Sequence, residues 1–189
     1  MAINSKNKGN RGEREVAEFM KGWAGYEFTR VPQSGGLRWK SRENIAGDNI
    51  CSDPKHERYC KLSIEVKFPK EIAFEHLLLP TIGRQTNKVN HYWDQCSSDA
   101  NAVKKVPFLF IHRNGMRKGT FFVVLPGSLF ARMVVSQPFV FEHGVIHYLN
   151  GNCKMAINII NSEDLKKFDY KKLHKEIFKP WCKDTYGKE

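Results

Sequence analysis

The chain has 189 residues and carries 31 lysines and arginines against 20 acidic residues, a formal charge of +11. This length is enough for one domain with a hydrophobic core, and a hydrophobic content of 41% excludes a chain that stays disordered. The charge favours a polyanionic partner, nucleic acid first and an anionic membrane second, although many proteins are basic for no such reason.

The sequence favours the cytoplasm. No stretch approaches the roughly 20 apolar residues of a membrane span, and the first residues lack the apolar core of a signal peptide. The five cysteines are odd in number and scattered, which indicates reduced thiols. Cys51, His56 and Cys60 raise the hypothesis of a structural zinc site, but the paired spacing of zinc ligands is missing, and a plain loop between two strands is the alternative.

The first predicted element is a helix over residues 11–24, after a polar and basic arm at 1–10. Apolar residues in this segment recur at helical spacing. At 100° per residue, Glu13 falls on the apolar side, whereas Glu15 and Glu18 point away from it. The structural alternative for Glu13 is a helix cap or a favourable position beside the helix dipole.

Strands and helices then alternate along the rest of the chain. We predict strands at 26–31, 45–51, 60–68, 106–112 and 120–125, and helices at 71–79 and 87–104. Beyond Pro126 we predict a short helix, strands near 138–142, 145–149 and 154–160, and one or two helices from Ser162 onward. This order indicates an α/β fold in which a mixed central sheet is flanked by helices.

Two acids and a lysine on adjacent predicted strands carry the functional hypothesis. Glu65 and Lys67 project from one face of their strand, because apolar residues alternate with them, and Asp48 lies on the strand before. Carboxylates held in this way can bind Mg²⁺ and activate a water against a phosphodiester, while a lysine orients that water or stabilises the transition state. The alternative is a surface ion pair.

Four sequence blocks resemble the PD-(D/E)xK nuclease superfamily, and within it the archaeal-type Holliday junction resolvases. The blocks are Lys8-Gly9-Asn10-Arg11-Gly12-Glu13-Arg14, Pro32-Gln33-Ser34-Gly35-Gly36, Gly47-Asp48 and Ile64-Glu65-Val66-Lys67. The resemblance implies a restriction-endonuclease-like core at 1–125, with an α+β extension at 126–189 packed on it. Phage-encoded proteins of this kind often carry such additions, so a viral origin is expected.

The resemblance also implies a Mg²⁺-dependent homodimer, with Mn²⁺ able to substitute, that nicks a four-way DNA junction symmetrically. Asp48 and Glu65 would be the direct metal ligands, with Glu13 the helix acid near the metal. Lys67 would act on the attacking water and the phosphate, and Ser34 would contact the scissile phosphate. Related nucleases sometimes place a helper residue where Gln95 lies.

The chain departs from the family's pattern at its first acid. The family often has a proline before this acid, but here Gly47 precedes Asp48. The reversed order, Asp53-Pro54, makes Asp53 a rival metal ligand, although it lies in a predicted turn.

Basic residues near these blocks are the predicted DNA contacts. Arg38, Lys40 and Arg42 alternate beside Trp39, so they could follow a phosphate track while the tryptophan stacks on exposed bases. The basic residues of the first block are assigned the same role: Lys8, Arg11 and Arg14. A solvated loop is the alternative for the first group, and Arg113, Arg117 and Lys118 form a further basic patch at a predicted hairpin tip.

These observations together predict an endonuclease that resolves branched DNA with a metal-activated water and no covalent intermediate. One alternative is another nuclease of the same fold, acting on flaps or duplex DNA. The other is an inactive module that binds nucleic acid. We expect neither a small-molecule substrate nor membrane association.

Overall fold

The computed structural model describes residues 5–31, 46–78, 88–149 and 156–187, which build one seven-stranded mixed sheet with helices on both faces. The strands are β1 (Phe28–Arg30), β2 (Asn49–Cys51), β3 (Leu62–Lys67), β4 (Val106–Ile111), β5 (Phe122–Pro126), β6 (Ile146–Tyr148) and β7 (Ile157–Asn161). Their order in the sheet is β1-β2-β3-β4-β5-β7-β6, and only β3 and β4 pair in parallel. The predicted fold class is confirmed.

Helices cover the two faces of this sheet. They are α1 (Ser5–Ala24), α2 (Lys88–Ala102), α3 (Gly127–Ser136), α4 (Ser162–Leu165), α5 (Tyr170–Leu173) and α6 (Lys179–Tyr186), with a π-helical segment at His174–Phe178. The larger core cluster joins α1 to β3, β4 and the C-terminal helices, while the smaller one packs α2 on the opposite face. In the described ranges, no helix is long and apolar enough to cross a membrane.

Helix α1 begins six residues earlier than the sequence predicts, at Ser5 rather than at residue 11. Contacts with distant parts of the chain hold its first turns. Asn10 Oδ1 accepts a hydrogen bond from Arg30 Nη2 at 2.9 Å, and Gly12 packs so closely on the Phe68 ring that a Cβ there would overlap it. Tertiary contacts therefore override the weak helical pattern of residues 5–10.

Two predicted elements differ from those observed. Residues 138–142 form no strand, because the backbone N–H of Glu142 donates to the Asp164 carboxylate instead of to a neighbouring strand. Within the described residues 71–78, only a 3₁₀ turn, Phe74–Leu77, occurs where a helix was predicted over 71–79. The sequence signal in both segments was short, so long-range packing decided the backbone.

The sheet continues past residue 126 without a break. β7 pairs with β5 from Phe122↔Asn161 to Pro126↔Ile157, and β6 adds the outer edge. The C-terminal segment thus contributes strands to the same sheet as the first 125 residues, and its separation as an extension stays a prediction.

The buried carboxylate of Asp164 accepts hydrogen bonds from the segment that precedes β6. Asp164 is 1% exposed and accepts hydrogen bonds from Glu142 N at 2.9 Å and His143 N at 3.0 Å. The Lys167 Nζ lies 3.0 Å from the same carboxylate. Burial opposes ionisation of Asp164, but these donors outweigh it and hold the pKa of Asp164 below its usual value.

Substituting Asp164→Asn should lower the free energy of unfolding by about 2–3 kcal/mol, since the amide leaves buried donors unsatisfied. A depressed folded-state pKa contributes stability above the ordinary aspartate pKa, and this stability is lost as the pH falls through the folded value. The difference between the two proteins in urea unfolding should therefore shrink in acid. Asp184→Asn, at an exposed ion pair with Arg132, is the control and should change stability by less than about 0.5 kcal/mol.

Candidate active site

The backbone of β3 fixes Asp48 beside Glu65. Asp48 N donates to Ile64 O at 2.7 Å, and Val66 N donates to Asp48 Oδ2 at 2.9 Å. The Asp48 carboxylate thus takes the place of a backbone acceptor at the point where β2 begins. Asp48 directly precedes β2, the neighbour of the strand that carries Glu65, whereas the sequence predicts Asp48 within that strand.

Gly47 is required by the backbone at this point. Its φ is +87°, and a Cβ there would overlap the Ile64 backbone. Proline is fixed at a φ near −65° and cannot adopt this conformation. The glycine that departs from the family's usual proline therefore has a conformational cause.

Substituting Gly47→Ala should lower the free energy of unfolding by about 3 kcal/mol, because left-handed strain and a clash with backbone add together. Gly25→Ala is a matched control: its φ is +75°, but nothing lies within 4 Å of its added Cβ. Only the strain of about 1 kcal/mol should remain there. Equal losses in urea unfolding of the two variants would contradict the close approach at Gly47.

Two side chains contact one oxygen of Glu65. Lys67 Nζ lies 2.6 Å from Glu65 Oε1, and Gln95 Nε2 donates to the same oxygen at 2.9 Å. Lys67 Nζ also donates to Gln95 Oε1 at 3.0 Å, which closes a triangle between β3 and α2. The Lys67 ammonium lies 5.6 Å from the centre of the Tyr92 ring. Glu65 itself is 3% exposed.

The acids of the site disfavour one another's negative charge. Burial and then the negative charge of Asp48 raise the pKa of Glu65 to about 7, against the opposing effect of Lys67. Burial disfavours the charge on Lys67, but Glu65 outweighs it and the pKa of Lys67 is raised. Burial and Asp48 likewise raise the pKa of Asp99. The Lys67 ammonium therefore does not fully compensate the negative charge of these acids.

This donor set fits Mg²⁺ or Mn²⁺. Within the described residues, no three histidine, cysteine or acidic side chains group into a metal site. Mg²⁺, however, usually keeps several waters and needs only one or two carboxylates from the protein. Asp48 and Glu65 are two such carboxylates, and the raised pKa of Glu65, caused by burial and then by Asp48, is typical of paired acids.

Glu13 lies next to an arginine. Its Oε2 accepts a hydrogen bond from Arg30 Nε at 2.7 Å, and its side chain is 12% exposed. Arg30 pairs in the sheet with Asn49, the neighbour of Asp48. The role of Glu13 as the helix acid near the metal stays a prediction. The expectation that Glu15 points away is wrong, since it is 11% exposed and pairs with Arg11 at 2.8 Å.

Asp53, the rival metal ligand, is engaged in a turn. Its Oδ1 accepts from Lys55 N at 2.9 Å and lies 3.0 Å from His56 Nδ1. The His56 side chain holds the pKa of Asp53 below its usual value. His56 also stacks on Tyr26, with ring centroids 3.8 Å apart. The described residues therefore do not assemble the alternative zinc site of Cys51, His56 and Cys60.

Several predicted DNA contacts and Ser34 cannot be placed in this geometry. The described ranges omit five residues of the basic glycine loop: Ser34, Arg38, Trp39, Lys40 and Arg42. Lys8 lies in α1, but its side chain is outside the described part. Arg11 and Arg14 are exposed on α1. All of these assignments stay predictions.

Helix α2 supplies residues that the sequence argument did not assign to the site. Neither Tyr92 nor Asp99 was given a role there. Together with Gln95 they recur at i, i+3 and i+7, which places them on one side of a helix. The polar character of that side, beside the buried Val89, Trp93 and Cys96, was the available signal.

Comparisons with known proteins agree with this geometry. The family described as "Phage putative PDDEXK endonuclease" matches residues 4–175. Protein D14 of Escherichia phage T5 is 29% identical over 128 residues, which cover 68% of this chain and 74% of D14. No solved structure matches the chain. Because the family match spans nearly the whole chain, the chain belongs to this phage family of PD-(D/E)xK nucleases.

Proposed function

We propose that this chain is a metal-dependent DNA endonuclease that resolves four-way junctions by symmetric hydrolytic nicking. One observation carries the proposal: Glu65 Oε1 is contacted by both Lys67 and Gln95, while the Asp48 carboxylate is held by Val66 N on the same strand as Glu65. A buried and a half-buried carboxylate with an ammonium beside them have the components that phosphodiester hydrolysis needs.

Each residue has a distinct part in this mechanism. Asp48 and Glu65 would hold the cation, which supplies a Lewis acid that acidifies a bound water and neutralises phosphate charge. The Lys67 ammonium would orient the attacking water and stabilise charge on the phosphate. Gln95 donates to Glu65 and accepts from Lys67, so it holds both side chains in position. Water would attack phosphorus directly while the P–O bond to the leaving sugar oxygen breaks and that oxygen takes a proton from solvent, so no covalent enzyme intermediate would form.

Branched DNA is the proposed substrate because of the four blocks shared with junction resolvases and the charge of +11. Cutting two strands of a junction symmetrically needs two active sites, so we propose a homodimer. The proposed compartment is the cytoplasm of the infected prokaryotic cell, where the chain would meet replicating DNA.

A gel assay with Mg²⁺ tests the substrate directly, by comparing a four-way junction, a flap and a linear duplex of the same sequence. Paired nicks confined to the junction are the expected result. Equal cutting of the duplex or flap would keep the nuclease and contradict the resolvase. Binding of all three DNAs without cleavage under Mg²⁺ or Mn²⁺ would indicate a binding module instead.

A further inference from the structure

A basic pocket lies at the opposite end of β3 from Lys67. A pocket of about 350 Å³ opens where β3 and β4 begin. Four lysines line it, and no acidic residue does, within the part of the chain that the structure describes: Lys61, Lys104, Lys179 and Lys183. Lys61 directly precedes β3, Lys104 lies between α2 and β4, and the remaining two lysines belong to α6.

The walls of this pocket are held in place by specific contacts. The Tyr186 hydroxyl on α6 lies 2.9 Å from Lys105 O and 3.0 Å from Asn101 Oδ1, which ties α6 to the end of α2. Lys104 has a φ of +52°, the only positive value at a non-glycine residue among the described positions. A lysine in the left-handed backbone conformation costs about 1 kcal/mol or more of conformational free energy, so packing, rather than local preference, determines this turn.

The pocket concentrates positive charge. Burial and then the neighbouring charge of Lys61 lower the pKa of Lys105, which lies beside the pocket, although Cys60 and Glu57 act in the opposite direction. Lys179 Nζ also lies 5.6 Å from the ring centre of Tyr59, an aromatic side chain that is 58% exposed. Lysines beside an exposed aromatic ring are typical of a nucleic-acid surface.

We propose that the pocket lined by Lys61, Lys104, Lys179 and Lys183 binds a backbone phosphate of the DNA that enters the active site. This inference rests on the proposed function, because it assumes a DNA substrate. Lys61 precedes Glu65 by four residues, or about 13 Å of strand. Successive phosphates of one DNA strand advance about 3.4 Å along the duplex, so the two contacts would lie roughly four base pairs apart.

The proposal is tested by DNA binding without metal. The variant is Lys179→Gln with Lys183→Gln, and the control is Lys55→Gln with Lys171→Gln, two exposed lysines that do not line the pocket. Each phosphate contact contributes about 0.9 to the slope of log K against log salt. At 0.1 M salt, affinity for a four-way junction should therefore fall about 8-fold if one lysine contacts phosphate and about 60-fold if both do.

The salt slope should fall by about 0.9 to 1.8 in the pocket variant and should not fall in the control. An unchanged affinity and slope, or equal losses in the control, would overturn the proposal. So would unchanged DNA binding with loss of inorganic triphosphate binding, which would indicate a small-anion site. A chain that binds DNA through this pocket but never cuts it would retain this inference and lose the proposed nuclease activity.

Discussion

Replacing Asp48 with asparagine should slow DNA cleavage by at least about 10³-fold and remove the divalent-cation site, while DNA binding is retained. The amide oxygen of asparagine can still accept the hydrogen bond that Val66 N gives to Asp48 Oδ2. The backbone at the start of β2 should therefore keep its position. What the variant loses is the negative charge that a cation needs beside Glu65. Single-turnover cleavage rates and calorimetric titration with Mn²⁺ measure the two losses separately.

The matched control for this prediction is Asp53→Asn, because Asp53 is the rival ligand in sequence. In the structure, Asp53 lies in a turn, where its carboxylate accepts a hydrogen bond from Lys55 N and contacts the His56 ring. Its removal should leave cleavage within about twofold, the range of a change distant from the chemistry. A loss of cleavage in Asp53→Asn together with an active Asp48→Asn variant would contradict the assignment.

Substituting Lys67→Met should reduce the cleavage rate by about 10²–10³-fold, with much less effect on metal affinity. The methionine keeps an unbranched side chain against Tyr92 but removes the ammonium that lies 2.6 Å from Glu65 Oε1. Because the carboxylates remain, Mn²⁺ should still bind. The rate at saturating DNA and the Mn²⁺ dissociation constant separate a role in the reaction from a role in holding Glu65.

The control for Lys67 is Lys70→Met, a substitution just beyond β3. Lys70 is 82% exposed and lies 3.9 Å from Glu71. It removes the same charge from the same region of the chain, but away from the carboxylates. If Lys67→Met lost metal binding as completely as cleavage, the lysine would only position Glu65.

The sequence was sufficient for the core of the site because its signal is local. The two-residue alternation of β3 placed Glu65 and Lys67 on one face, and strand order placed Asp48 beside them. The triangle with Gln95 depended on the packing of α2 against β3, 30 residues away, and no local pattern determines that contact. Resemblance to known nucleases suggested the residue, but only the fold brought its amide to Glu65.

The errors in the predicted fold have the same origin. The first turns of α1 are held by Arg30, 20 residues away from Asn10, and the segment before β6 by Asp164, 22 residues away from Glu142. Such contacts replace weak local preferences. Gly47 is a different case, because its positive φ is a local requirement. The sequence showed a glycine where the family often has proline, but the reason for it became clear only from the backbone conformation.

Cleavage of a labelled four-way junction by the wild type and by Glu65→Gln, with and without Mg²⁺, tests the metal-dependent site most directly. Glu18→Gln, an exposed acid on α1, is the control for loss of a negative charge. We predict Mg²⁺-dependent nicking by the wild type and by Glu18→Gln, and no nicking by Glu65→Gln even though it binds the junction. Cleavage by Glu65→Gln at the wild-type rate, or wild-type cleavage that persists in a metal chelator, would contradict this account of the active site.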